Sequence, residues 1–154
     1  MIIKKLLFII LFIPLLQTTP ATAQNYKGVQ ELMFVDKLPL DDFYNISIVV
    51  QRCAGLYGAY AKFLPSDMPE KEKLFNLSMQ MLTKSIVYLA KARGLPMESE
   101  AVVGQVDKAF KVYVDIYYKN LEQNQTLTGS MFGEFFNGEE EVCSNVAKII
   151  EVTK

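Results

Sequence analysis

Cys53 and Cys143 are the two cysteines of this 154-residue chain, which contains no histidine. Together these facts bound the chemistry open to it. A reactive thiolate is made by a neighbouring imidazole, a C-x-x-C partner or a helix N-terminus. Cys53 sits inside the helical stretch "QRCAGLYGAYAKF" and Cys143 inside another, and neither has such a neighbour. Serine–histidine and cysteine–histidine catalysis both need an imidazole. Zinc sites and c-type haem attachment ordinarily use one too. No catalytic residue, metal ligand set or cofactor is therefore assigned. Two cysteines on two helices can instead pair. A Cys53–Cys143 disulfide would close a loop of about 90 residues, for which the chain-entropy ceiling is ~4–5 kcal/mol.

Two other groups of side chains could carry a function. Tyr57, Tyr60, Tyr113 and Tyr117 fall on the apolar stripes of helical segments. Such rings either pack with their hydroxyls reaching outward or line a cavity between helices for a small apolar ligand. The segment "GSMFGEFFNG" (129–138) sets Met131, Phe132, Phe135 and Phe136 among three glycines. It reads as a lid over an open end of the core, or as a partner-binding patch of the kind that aromatics and methionine favour.

The elements that must hold these groups are helical. Phe43, Ile46, Val50, Cys53, Tyr57, Tyr60 and Leu64 recur at steps of three and four, giving a helix over 41–64 that Pro65 stops. A second spans 67–93, with Asp67 and Glu70 as a capping box, Phe75, Met79, Leu82, Ile86 and Leu89 as its stripe, and Gly94 and Pro96 as its end. A third spans 98–121 on Val103, Val106, Phe110, Tyr113 and Tyr117. The fourth spans 139–150, with Glu139 to Glu141 as a solvated first turn and Val142, Val146 and Ile149 inward. No second strand candidate exists to pair with 31–35, so the fold class is all-α, a small bundle of about four helices. In this reading Ala54, Gly58 and Ala61 form a small-residue strip that lets the first helix approach the fourth closely enough for the disulfide.

The N-terminal "MIIKKLLFIILFIPLLQTTPATAQ" has a basic start, an apolar run and an A-x-A site before Gln24, the form of a secretory signal peptide over 1–23. Eleven apolar residues interrupted by Pro14 fall short of the ~20 that cross a bilayer. The expected mature unit is one domain, 24–154, with an extended or irregular lead-in over 24–40. Removing 1–23 takes away Lys4 and Lys5 and no acid, which moves the formal net charge from −1 to −3. With no basic block, nucleic acid and anionic lipid are not expected partners. Asn45, Asn76 and Asn124 begin glycosylation-like triplets that read as coincidence. The expectation is an exported protein, periplasmic or secreted, that is not an enzyme and serves as a protein-binding or accessory module. A small apolar-ligand binder is the alternative, and a carboxylate- or tyrosine-dependent enzyme ranks third.

Overall fold

The computed structural model describes residues 42–150, so the signal peptide over 1–23 and the lead-in over 24–40 lie outside the described residues. Four helices follow one another, with no strand among the described residues: α1 Phe43–Phe63, α2 Pro69–Arg93, α3 Glu100–Thr128 and α4 Glu134–Ile149.

The α1 helix is the axis of the bundle. Asp42 caps it, its carboxylate accepting the Tyr44 N–H at 2.8 Å, and Leu64 turns extended ahead of Pro65. Every residue from Val49 to Tyr57 is buried, so α1 is enclosed all round rather than along one stripe. The sequence permits this because its small residues let neighbours come close. A Cβ at Gly55 would collide with the Cβ of Tyr113 on α3, and one at Gly58 would sit 3.1 Å from atoms of Ser78, Phe110 and Val114. The small strip therefore seats α2 and α3. It does not serve the crossing with α4, which the sequence had suggested.

The α2 helix begins one residue later than its capping box implied. Met68 occupies the N-cap with no side-chain bond, and Pro69 fills N1, where its missing N–H costs nothing. Gly94 ends the helix in the left-handed conformation at φ 63°, and the Leu95 N–H returns to the Ala90 carbonyl at 3.0 Å. Its buried face differs from the expected stripe. Ser78, Met81, Ser85 and Leu89 turn inward, while Phe75 and Met79 stay exposed. Polar bonding to α1 fixes this rotation. The Ser78 hydroxyl donates to the Ala54 carbonyl at 2.8 Å, and the Ser47 hydroxyl donates to the Ser85 carbonyl at 3.1 Å. These bonds give the serines of two of the three glycosylation-like triplets a packing role, since the hydroxyls of Ser47 and Ser78 are committed between helices.

Two further boundaries moved. The α3 helix runs seven residues past the expected 121 to Thr128, and Gly129 at φ 75° caps it. Its inner face carries Val102, Val106, Tyr117 and Leu121, with Val103 turned outward. The α4 helix starts at Glu134, five residues before the expected 139. Glu139 is thus in its second turn and buried, not in a solvated first turn, and Ile150 rather than Ile149 faces inward.

Candidate functional site

Cys53 and Cys143 are joined, with their Cα atoms 5.2 Å apart and both side chains buried. The bridge ties α4 to the middle of α1. Beside it lies a polar cluster that the sequence reading missed. Arg52 precedes Cys53, and Glu139 stands one turn before Cys143 on the same face of α4. The Arg52 guanidinium donates to Glu139 Oε2 and to the Tyr117 hydroxyl oxygen, each at 3.4 Å, and lies over the Tyr113 ring at 5.7 Å. Tyr117 in turn donates its hydroxyl proton to Glu139. Arg52 and Glu139 retain 7% and 2% of their exposure and Tyr117 none, so the whole cluster is out of water.

Burial pushes the Tyr117 phenol far above its ordinary range; Arg52 opposes the shift and Glu139 adds to it. A phenol held protonated donates a hydrogen bond, here to Glu139. No buried side-chain nitrogen or oxygen among the described residues lacks a partner. The cluster links α1, α3 and α4 and lines none of the clefts described below.

The four tyrosines do not assemble a cavity wall in those clefts. Tyr57 and Tyr117 are buried in the main core, and Tyr60 and Tyr113 pack half-buried at its edge. Burial, with a smaller contribution from Glu140, raises the Tyr57 phenol strongly. The 131–136 segment divides. Phe136 is 1% exposed, Phe135 stacks on Tyr117 with ring centres 6.1 Å apart, and Met131 packs half-buried on the core. Phe132 keeps 39% of its exposure but meets the rings of Tyr60 and Phe136 at 5.3 and 5.5 Å. Three aromatic rings of the segment are thus occupied with one another and with α1 and α3.

The larger opening lies elsewhere. Near the short 94–99 connection α2 and α3 pack together through Leu89, Ala90, Val102 and Val106. Farther along, a groove of about 830 Å³ separates them. Gly58 and Ala61 of α1 form its floor, Met68, Pro69 and Phe75 one wall, and Phe110 and Val114 the other. Lys62, Ser66, Asp67, Lys71 and Glu72 edge it. The groove's floor is made of small α1 residues, and at Gly58 the side chains of Ser78, Phe110 and Val114 pack closely onto it. Phe75 is 54% exposed at its rim. A smaller apolar cleft of about 80 Å³ lies between Ile46, Val49, Val50, Tyr88, Val146, Ile149 and Ile150. A third, of about 570 Å³, runs along the polar end of α3 beside Phe63 and Leu127.

Among the described residues no three metal-ligating side chains come together, and no helix is long and apolar enough to cross a membrane. No protein-family model, curated protein or solved structure matches this chain.

Proposed function

We propose that this chain is an exported, non-catalytic binding protein, and that it takes an apolar segment of a protein partner into the groove between α2 and α3. Export rests on the signal-peptide form of residues 1–23 and on a disulfide, which forms and persists in oxidising compartments. The binding assignment is carried by one observation: Phe75, on the apolar stripe of α2, stands 54% exposed at the rim of an apolar groove. Met68 and Met79 lie on the same face of α2 and are exposed as well. From Met68 to Met79 this face extends about 16 Å at 1.5 Å per residue. That is the length of three helical turns, which suits a partner segment better than a compact ligand. Aromatic and methionine side chains are the types enriched at the centre of interfaces.

The groove replaces the 131–136 segment as the assigned surface, because the rings there are engaged in internal packing. The test is site-specific photo-crosslinking in the native compartment, with the reactive residue at position 75 or, as control, at Val112, which is exposed on α3. A band captured from position 75 and not from 112, and lost with Met68→Asp, supports the groove. Equal capture from both positions, or a band that survives Met68→Asp, removes it.

A small apolar molecule in the same groove is the second reading, favoured by a volume inside the ~300–1,000 Å³ range of ligand pockets. It predicts a thermal shift with apolar small molecules that Phe75→Asp abolishes.

A further inference from the structure

Resting on the groove assignment above, we infer that the partner segment is cationic as well as apolar: large apolar side chains with lysine or arginine beside them. The charges at the rim carry this. Four ionisable side chains edge the groove, two of each sign, so a count gives no preference. Their engagements do. The Lys62 ammonium sits over the Tyr118 ring, 4.3 Å from its centre, and the Lys71 ammonium donates to the Leu64 carbonyl at 3.0 Å. Both cations are drawn onto the protein's own surface. Asp67 and Glu72 are exposed and make no hydrogen bond or ion pair with the described residues. Glu70 and Glu72 both stand in the first turn of α2, near its positive end, and of the two only Glu72 lies on the groove.

What the groove offers an incoming segment is therefore an apolar trough with two exposed carboxylates at its edge, neither held in a hydrogen bond or ion pair with the described residues. An acidic segment would face both carboxylates and would have to pull the lysines from their present partners. A basic one gains two charge contacts without rearrangement. Phe75 adds to this, since an aromatic face at the rim also attracts a cation.

The experiment compares two synthetic amphipathic peptides of about 14 residues, one of leucine and lysine and one of leucine and glutamate, each carrying a fluorophore. Anisotropy titrations use the full mature protein with its disulfide intact. The leucine–lysine peptide should bind more tightly than its acidic counterpart. Asp67→Asn with Glu72→Gln should weaken it about tenfold, since each exposed charge contact contributes only modestly. Raising salt to about 0.5 M should shrink that difference. Glu98→Gln with Glu100→Gln, at the far end of α2 and α3, removes the same charge and should leave binding unchanged. An equal loss with the Glu98 and Glu100 pair would overturn the inference, because attraction to net negative charge would then explain the binding. Equal binding of both peptides, or preference for the acidic one, would also overturn it while leaving the groove assignment standing. If Phe75→Asp leaves both peptides bound as before, the groove assignment itself has failed.

Discussion

Removing the anionic member of the buried cluster should be among the most damaging single changes this fold can suffer. In Glu139→Ala, the Arg52 guanidinium loses its carboxylate partner at 3.4 Å while its side chain stays 8% exposed, and the Tyr117 hydroxyl loses its acceptor. Breaking one side of a buried ion pair costs about 3–5 kcal/mol, because the remaining charge keeps its desolvation cost and loses an attraction that offset it. The stranded phenol donor contributes part of a further ~1–3 kcal/mol, and the two effects overlap because they share one site. Glu139→Gln keeps an acceptor and the side-chain volume, so its cost should be smaller and should measure the charge alone. The informative comparison is Arg52→Met with Tyr117→Phe and Glu139→Leu. This triple variant removes all three groups at once and should be more stable than Glu139→Ala, since a packed apolar replacement leaves none of the three stranded. Urea denaturation of the oxidised protein near neutral pH supplies the numbers, with equal m-values as the check that the unfolded state is unchanged. A Glu139→Ala cost below about 1 kcal/mol, or a triple variant as unstable as the single one, would refute the reasoning.

Cys53→Ser and Cys143→Ser should each destabilise by a similar amount, up to about 4–5 kcal/mol, and equilibrium denaturation that separates the two would mean the sulfurs do more than close the loop. Phe136→Ala should cost about 3–5 kcal/mol as a full core truncation, and Phe132→Ala about half that or less because much of its ring stays in water; the same denaturation series decides this. The phenols of Tyr57 and Tyr117 are pushed well above the ordinary tyrosine value of 10.0. Their contribution to stability is thus fully present below about pH 10 and falls as pH rises beyond it, because the unfolded state loses these protons first. An absorbance titration of phenolate should leave these two tyrosines unionised until the protein unfolds, and smooth ionisation in the folded state would contradict their burial.

How much of this was legible in the sequence depends on which residues set each feature. The all-α class and four helices follow from apolar spacing, from Pro65 and from Gly94, signals that act within one turn of chain. The disulfide follows from two cysteines on two helices. The start of α4 was missed because Gly133 and Gly138 bracket two phenylalanines, a pattern that reads as loop when only propensity is weighed. Burial of Phe136 against α1 overrides that preference. The end of α3 was missed for a related reason: its last turns are polar and carry threonines of low propensity. There the Thr126 and Thr128 hydroxyls bond carbonyls four residues back, and Gly129 alone ends the helix. The rotation of α2 was out of reach, because it is set by serine hydroxyls meeting the backbone of another helix. Arg52 was within reach. It is the only charged residue between Phe43 and Ala61, and a lone charge in so apolar a helix calls for a buried partner. Glu139, one turn before the cysteine that Arg52's neighbour binds, was the candidate.

The two ends of α1 do different work, and its composition explains the division. The fixed links gather between Ser47 and Ala54: the disulfide, the Arg52–Tyr117–Glu139 cluster, the Ser47–Ser85 pair and the Ser78 bond to the Ala54 carbonyl. They tie α1 to α2, α3 and α4, so the relative placement of all four helices is set over two helical turns. Toward its C-terminus α1 narrows to Gly58 and Ala61, and there α2 and α3 have less between them. A side chain at Gly58 would press on the Phe110 ring, the Val114 methyl and the Ser78 hydroxyl packed against it. The slimness of α1 is therefore what allows its neighbours to crowd around it. Strong fixation around Cys53 permits the exposed apolar wall farther along, because leaving Phe75 about half exposed forgoes roughly 1 kcal/mol of burial that the links must offset.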